Sequence, residues 1–521
     1  MASGGAKWVA AGILLSRVAG LVRERAFAHY FGNTDAGDAF KAALKIPNFL
    51  QNLFGEGVLS ASFIPAYAKA LAHGDEAVAR RLASSVATLL SLVTSVLVLG
   101  GVLATPLLID LVAPGFEGEK RAATIELVQV FFPGTGLLVL SAWALGVLNS
   151  HRSFFLSYAA PVLWNLAIIG ALVWFGGRFE GYALGVRVAW GLVLGSALQL
   201  GVQLPTALRL VRGFRPELGL DLAATRTVLR NFLPVVGARG VVQVSAYLDN
   251  VYASLLPTGA VSALAYAQTL YLLPISVFGM SVSAAQLPEM SSATGSAAEV
   301  ADALRGQLRR SLGQVAFFIV PSLVGLVSCG DAVVAALFQT GVFDAESTRF
   351  VWWVLGGYAV GLLAVTQARL YASAFYALGD TRTPLRYAVV RVALSVVAGA
   401  VGALWLPGWL GLEAQWGTVG LTLASGGAGW AEYVGLRAAL GARIGPSAVP
   451  FGALARLWAA ALPAGALGVA VKLAVGDALH PILRGVLVVG AFAVVYAGGT
   501  LALGVPEARA TVQKLRRRRQ A

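Results

Sequence analysis

The sequence predicts an all-α polytopic membrane protein, and its composition and hydropathy carry this prediction. Hydrophobic residues make up 58% of the 521 positions and charged residues only 12%, whereas a soluble domain has about 25% charged residues. The mean hydropathy is +0.75. Apolar runs of about 20 residues show no alternation, and hydrocarbon offers backbone groups no partner, so these runs must be helices. Soluble enzymes, disordered chains and fibrous proteins are thereby excluded.

Fourteen transmembrane helices are predicted from the apolar runs between polar breaks. The second run is too long for one straight span and contains Pro47 and the Gly55–Gly57 break, so we expect a bent helix there. The fourteen approximate spans are 8–31, 37–71, 83–112, 123–149, 154–176, 181–208, 228–255, 261–290, 311–338, 349–377, 384–407, 415–441, 451–475 and 481–503.

The basic residues predict that both termini are cytoplasmic. Segments on the side of the N-terminus hold 23 Lys and Arg residues, and the segments on the opposite side hold 6. This bias fits the positive-inside rule with an even number of spans. The net charge of +14 is therefore attributed to cytoplasmic loops and not to nucleic-acid binding. We expect the basic tail at 514–519 to contact anionic membrane lipid.

Cysteine and histidine usage argues against a metal-centre enzyme. Cys329 is the single cysteine, which excludes a disulfide within the chain and a cysteine metal site. The four histidines are scattered, with no pair at ligand spacing. The first apolar segment contains Arg17, Arg23 and Arg25, which argues against a cleavable signal peptide.

A weak internal repeat predicts two lobes of six helices. Gly32 and Pro47 are fifteen residues apart, and Gly259 and Pro274 repeat this spacing at an offset of 227. An offset of six helices keeps the orientation, so the repeat is parallel, and a substrate site is expected between the lobes. The predicted domains are an N-terminal lobe at 1–220, a C-terminal lobe at 221–445, two extra helices at 446–505 and a basic cytoplasmic tail at 506–521.

Polar residues form a stripe on the second predicted helix. They follow steps of three or four residues, which places them on one face. On the first helix Ser16, Gly20 and Arg23 share a face, with Arg17 and Glu24 beside it. The stripe on the second helix consists of Asp38, Lys41, Lys45, Asn48, Asn52, Glu56 and Ser60.

These embedded charges have two interpretations, since ionisable residues inside a membrane mark function by default. One is internal ion pairing, of Asp38 with Lys41 or of Arg17 with Glu24. The other, which we favour, is a cationic cavity that binds an anion, because five cations face three acids. The predicted ligands are Arg17, Arg23, Lys41 and Lys45, supported by Ser16, Asn48 and Asn52. Gating or structural polar roles are assigned to Glu24, Asp38, Glu56, Gly20, Pro47, Gly57, Arg239 and Asp249.

Dense motifs occupy residues 16–65. They are Ser16-Arg17-x-x-Gly20-x-x-Arg23-Glu24, Asp38-Ala39-Phe40, Lys45-Ile46-Pro47-Asn48, Phe54-x-Glu56-Gly57 and Ser60-x-x-Phe63-Ile64-Pro65. Further matches at Pro161, Asn165, Gln199, Pro205, Pro274 and Gly379-Asp380-Thr381 extend over almost the whole chain. Together these motifs resemble the MurJ/MviN family of lipid II flippases.

The resemblance implies a fourteen-helix fold of the multidrug/oligosaccharidyl-lipid/polysaccharide exporter superfamily. It implies a transporter, not an enzyme, in the bacterial cytoplasmic (inner) membrane, which moves lipid II from the inner to the outer leaflet. Lipid II is the undecaprenyl-diphosphate-linked disaccharide-pentapeptide used in peptidoglycan biosynthesis. The last two helices would border a groove for the polyprenyl tail. The family residues carried over are Arg17, Arg23, Glu24, Asp38 and Glu56.

The chain departs from the family pattern at several polar positions. Thr269 and Gln51 stand where the family usually has arginines, so two cavity cations are missing, and Lys41 is expected to compensate for one of them. No cofactor is expected, apart from the sodium ion that some members bind. Asp249 fits one ligand of that ion, but Ser395 and Gly399 stand where Asn or Asp would be expected.

Other functions stay open beside a flippase that works by alternating access. A relative could export another polyprenyl-diphosphate-linked glycan, whereas a cationic cavity would repel a cationic drug. A glycosyltransferase would need catalytic acids in a sizeable external loop, and the outside loops are short. A regulatory scaffold would fit the missing arginines. The driving ion, the peptide variant and the oligomeric state are left open.

Overall fold

A computed structural model of the chain describes residues 2–280, 282, 296–476 and 478–520. The backbone contacts divide it into two compact units, of which the first comprises residues 1–262 and 340–342 and the second the remainder. The first unit contains nine helices among its described residues: α1 (Ala2–Phe31), α2 (Asp35–Phe54), α3 (Glu56–Ala72), α4 (Glu76–Leu103), α5 (Thr105–Val112), α6 (Gly118–Ser150), α7 (Phe154–Phe175), α8 (Gly181–Val211) and α9 (Ala223–Ser254).

The second unit continues with helices of the same kind, and the first of them begins at Ala260, with its residues 260–262 still in the first unit. A π-helical turn, Ile275–Met280, follows its first helix, and another, Val401–Trp405, interrupts a later one. Its described α-helices are α10 (Ala260–Pro274), α11 (Ala297–Phe338), α12 (Ala345–Ala377), α13 (Arg382–Ala400), α14 (Leu406–Trp409), α15 (Gly417–Ile444), α16 (Phe451–Val475), α17 (Pro481–Ala502) and α18 (Pro506–Gln520).

The predicted fold class is confirmed: the chain folds as an all-α polytopic membrane protein. Described helices overlap all of the predicted spans. Ten helices among the described residues are long and apolar enough to cross a membrane. The other four predicted spans fall on α1, on α2 with α3, on α9 and on α15. Of these helices, α1 and α2 carry the embedded charges. The count of fourteen stays a prediction.

The two compact units divide the chain at a different place from the predicted lobes. Helix α9 packs against α2, α3 and α4 and therefore belongs to the first unit. The predicted lobes begin at 1 and 221 because they follow the sequence repeat, which is defined by spacing and not by contacts. The lobes and their parallel repeat stay a prediction.

The predicted bend in the second span is confirmed at Gly55. Helix α2 ends at Phe54 and α3 begins at Glu56, although Pro47 is accommodated inside α2. The Gly55 amide donates to the Gln51 carbonyl at 2.7 Å. A Cβ on Gly55 would lie 2.2 Å from that same oxygen, so the break requires glycine.

At one end of the first unit lie segments that the predicted topology places on the outer side of the membrane. The Lys120 ammonium donates to Asp35 at 2.7 Å, and the Thr258 hydroxyl donates to Asp35 at 2.8 Å. The Val342 amide donates to the His29 carbonyl at 2.9 Å. Four chain segments that the topology predicts on one side therefore lie together.

The opposite end gathers predicted cytoplasmic segments. Arg81, near the start of α4, pairs with Glu217 at 3.2 Å and with Asp221 at 2.9 Å in the segment between α8 and α9. Hydrogen bonds from Arg81 hold the pKa of the Asp221 carboxyl below its usual range. Tyr67 and His151 are hydrogen-bonded at 3.0 Å. The grouping agrees with the predicted order of sides, and the assignment of this end to the cytoplasm stays a prediction.

Candidate functional site

The charged centre of the first unit is Glu24, which joins α1 to α2. Its carboxylate accepts from Arg23 at 2.6 Å and from Lys41 at 2.5 Å, and the residue is 9% exposed. Lys41 is buried as well, with its ammonium 4.2 Å from the centre of the Phe27 ring. Two cations and one carboxylate therefore share a site from which water is largely excluded, and breaking such a group leaves a buried charge unpaired.

Helix α7 positions Arg23 from the other side. The guanidinium donates to the Asn165 carboxamide at 3.1 Å and lies 4.9 Å from the centre of the Trp164 ring. Asn165 is itself fixed, because its Nδ2 donates to the Pro161 carbonyl at 3.0 Å. An arginine has five N–H donors in a planar fork. The bonds to Glu24 and Asn165 leave donors of Arg23 available to a ligand.

Arg23 faces a polar pocket of about 330 Å³ that lies wholly within the first unit. Its walls come from α1, α2, α6, α7 and α8, and Gly20 and Gly55 are among the lining residues. The structure thus brings Ser16, Gly20 and Arg23 together, as the face on the first helix predicts. The lining residues are Ser16, Gly20, Arg23, Gln51, Gly55, Leu138, Ser141, Ala142, Leu145, Pro161, Trp164, Asn165 and Gln199.

Asp38 lies away from this pocket and holds a helix end. It is 1% exposed, and its carboxylate accepts from the amides of Gly259 and Ser262, each at 2.8 Å, and from Lys120 at 3.0 Å. The first amides of a helix have no partner inside that helix, and a carboxylate there is also favoured by the helix dipole. Asp38 thus satisfies amides at the start of α10.

The remaining stripe residues of α2 become more exposed toward its C-terminal end. Lys45 is half-buried and interacts electrostatically with Asp249, and its carbonyl accepts from the Tyr247 hydroxyl. Asn48 and Asn52 are exposed, whereas Pro47 is buried. The stripe therefore starts in buried ion pairs and ends on an accessible surface.

The other predicted site residues are placed as follows. Arg17 is exposed and lies next to the pocket-lining Ser16, and Gly57 is half-buried after the break at Gly55. The side chains of Glu56 and Arg239 lie outside the described part of the structure, so their roles stay predictions.

Ion pairing occurs, but with partners other than those considered from the sequence. Asp38 pairs with Lys120, and Glu24 pairs with Arg23 and Lys41. The part of the chain that the structure describes contains no group of three or more His, Cys, Asp or Glu side chains placed to hold a metal ion.

Sequence reasoning missed several neutral residues of the pocket. Asn165 and Gln199 are motif positions of the family resemblance, and Gln51 stands where that family usually has an arginine, but none of the three was predicted to line a pocket. The sequence pattern assigns no role to Ser141 or Trp164. The available signal is that carboxamides are rare inside spans for the same reason as charges, because hydrocarbon does not satisfy them.

An apolar groove of about 490 Å³ lies in the second unit, on α11 and α17. Its walls are aromatic and aliphatic, and the Tyr496 hydroxyl on one wall donates to the Phe317 carbonyl at 2.6 Å. The groove is lined by Pro274, Phe278, Phe317, Phe318, Pro321, Ser322, Gly325, Leu326, Cys329, Val333, Val489, Phe492, Ala493, Tyr496 and Ala497.

An all-helical membrane fold with a polar pocket between its helices is typical of membrane transporters. The fold is similar to a solved "Lipid II flippase MurJ, inward closed conformation", with a TM-score of 0.77, 22% identity and coverage of 97% of this chain and 99% of the other. It is also similar to an inward-facing multidrug resistance MATE family transporter of the MOP superfamily, with a TM-score of 0.64, 16% identity and coverage of 81% and 95%.

The sequence comparisons identify the family. The family model "Lipid II flippase MurJ" matches residues 27–479. The "Probable lipid II flippase MurJ" of Rhizobium meliloti (strain 1021) is 32% identical over 433 residues, which cover 77% of this chain and 79% of the relative. The "Lipid II flippase MurJ" of Burkholderia cenocepacia is 32% identical over 387 residues, which cover 72% and 73%. The chain belongs to the MurJ family.

Proposed function

We propose that this chain moves lipid II from the inner to the outer leaflet of the bacterial cytoplasmic membrane by alternating access. The observation that carries the proposal is Arg23, a half-buried arginine held by Glu24 and Asn165 at the wall of a polar pocket, in a chain of the MurJ family. A charged headgroup has no favourable path through hydrocarbon, so a carrier must offer it polar partners within the membrane.

Arg23 and Arg17 are the proposed ligands of the diphosphate. Arginine forks match the oxygens of a phosphate, and such charge-assisted bonds are about twice as strong as neutral ones. Arg17 is exposed one residue away from the pocket-lining Ser16. Lys45 contributes a further positive charge, moderated by Asp249.

Lys41 has an indirect part in this scheme. Its ammonium lies on Glu24 and is buried, so its charge helps to hold the carboxylate that orients Arg23. In this view the acid and the lysine set the position and the effective charge of Arg23, whereas the predicted direct contact of Lys41 with the diphosphate would require this pair to open.

The apolar groove on α11 and α17 suits the polyprenyl tail. Burial of a hydrocarbon tail needs no directional partner, and the groove offers Phe278, Phe317 and Phe318 as apolar contacts. The tail would stay in the groove or in lipid while the headgroup crosses.

The test is rescue of a bacterium depleted of its own flippase. The chain should restore growth and the labelling of lipid II in the outer leaflet, with membrane expression checked. Purified protein in vesicles should also flip lipid II. If it flipped another polyprenyl-diphosphate-linked glycan and left lipid II in place, the related-exporter alternative would replace this proposal.

A further inference from the structure

The lining of the polar pocket is largely neutral. Arg23 is the only charged residue among the described lining residues, and it already donates to Glu24 and Asn165. The other polar groups of the lining are the hydroxyls of Ser16 and Ser141 and the carboxamides of Gln51, Asn165 and Gln199. A diphosphate favours cations. The abundance of neutral donors and acceptors therefore calls for a second, uncharged part of the ligand.

Several of these polar groups have no partner among the described residues. The indole Nε1 of Trp164 is a buried donor without an acceptor. Gln199 donates from Nε2 to the Ser141 hydroxyl at 2.9 Å, and no described hydrogen bond uses its Oε1. The Gln51 carboxamide makes no hydrogen bond with any described residue. Buried polar groups such as this indole N–H are normally satisfied. Gln51 and Gln199 are half-buried and line the pocket, so water or a ligand in the pocket can complete their bonding.

Ser141 is held in place by a more deeply buried residue, so this wall of the pocket is preorganised. Its hydroxyl donates to Oε1 of Gln203 at 2.5 Å, and Gln203 is fully buried. The chain from Gln199 through Ser141 to Gln203 fixes the direction of each amide. Groups held in this way can discriminate between ligands, because a ligand that lacks the matching hydroxyl or amide leaves them unpaired.

We propose that this pocket is a carbohydrate subsite that takes one amino-sugar ring of the lipid-linked glycan, an inference that rests on the proposed function. Sugar hydroxyls and an acetamido group both donate and accept, as carboxamides do. Trp164 adds an apolar ring face for the C–H groups of the sugar and an N–H for its oxygens. A volume of about 330 Å³ lies at the small end of ligand pockets and suits a single ring.

The experiment compares the affinities of the purified full-length protein for lipid II and for undecaprenyl diphosphate, which has no sugar. Gln51→Met and Gln199→Met keep the size of the side chain and remove its polar groups, and Trp164→Phe removes the N–H. Each glutamine variant should weaken lipid II binding about 3- to 10-fold and leave undecaprenyl diphosphate binding unchanged. Trp164→Phe should weaken lipid II binding more than undecaprenyl diphosphate binding, because the ring of Trp164 also lies beside Arg23. The matched control is Gln129→Met, on an exposed part of α6 outside the pocket.

The inference is overturned if the wild type binds both lipids equally, or if variants with wild-type melting and elution lose both in parallel or lose neither. If a glutamine variant does not fold, Trp164→Phe still tests the proposal, because it keeps an aromatic ring in place. Lipid II flipping by the wild type in vesicles is measured beside these affinities. Flipping with unchanged variant affinities overturns the sugar subsite alone, whereas no flipping of lipid II overturns the proposed function.

Discussion

Near the N-terminal end of α2, Asp38 and Lys41 are buried in ion pairs with other helices, whereas Asn48 and Asn52 farther along the same helix are exposed. All four belong to one stripe with one spacing. The difference arises because α1 and α6 cover the first half with Glu24 and Lys120. A shared face therefore does not imply a shared role: one half of the stripe holds helices together, and the other half is exposed.

The largest effect is expected from reversing the charge of the two arginines of α1 that are the proposed diphosphate ligands. Arg17→Glu with Arg23→Glu should abolish rescue of a flippase-depleted bacterium, because attraction for a diphosphate becomes repulsion. Loss of one charge-assisted bond costs about 1.5–3 kcal/mol, or roughly 10- to 150-fold in affinity. Arg23→Lys keeps the charge without the fork and should be partly active.

The matched control is Arg187→Glu, which reverses an exposed arginine of α8 outside the pocket. Growth and outer-leaflet lipid II should be close to wild type in that variant. Full rescue by a well-expressed double arginine variant would mean that the anion site lies elsewhere and that neither arginine is a ligand of the diphosphate.

Among the ion pairs that bury the first half of the stripe, the largest loss of stability is expected from changing Glu24, the partner of Lys41. Glu24→Gln leaves Arg23 and Lys41 adjacent and without their carboxylate, and the loss of one partner from a buried pair costs about 3–5 kcal/mol. The double variant Glu24→Gln, Lys41→Met should lose less than the sum of the single losses, because the two groups are coupled. Thermal melting of the purified protein measures both.

Asp110→Asn is the control for this prediction, since Asp110 pairs with Arg121 at 2.7 Å on the surface and is 56% exposed in its side chain. Solvent screens an exposed pair of this kind, so the melting temperature should change little. Additive losses in the Glu24 and Lys41 variants would mean that the two groups do not act as a unit.

A smaller loss is expected at Asp38. Asp38→Asn keeps the shape but removes the charge that faces Lys120 and the amides at the start of α10, so the loss should be about 1–3 kcal/mol. Asp35→Asn is a matched comparison, because Asp35 shares Lys120 but its side chain is 50% exposed. The melting temperature should fall less for Asp35→Asn. An equal fall would show that burial does not set the strength of this contact.

The fold was predictable from the sequence to the extent that it depends on apolar length and on glycine. The spans follow from hydropathy, and the break at Gly55 follows from two glycines beside an acid. The pairing of Glu24 with Lys41 was not predictable, because spacing places residues on a face and does not name the helix opposite. The neutral residues of the pocket were not predicted for a related reason: Trp164, Asn165 and Gln199 come from α7 and α8, and they come together with Arg23 only in the folded unit.

The last prediction tests the exposed half of the stripe without an effect on stability. Asn48 is exposed, whereas the neighbouring Phe49 is half-buried, with its ring 5.2 Å from that of Tyr247. In a Cys329→Ser background, Asn48→Cys should react with a small hydrophilic thiol reagent, and Phe49→Cys should stay protected because α9 covers it. The rate of labelling in membranes measures the difference. Equal protection would mean that Asn48 is packed against lipid or protein, in which case both halves of the stripe would be structural and the diphosphate would depend on α1 alone.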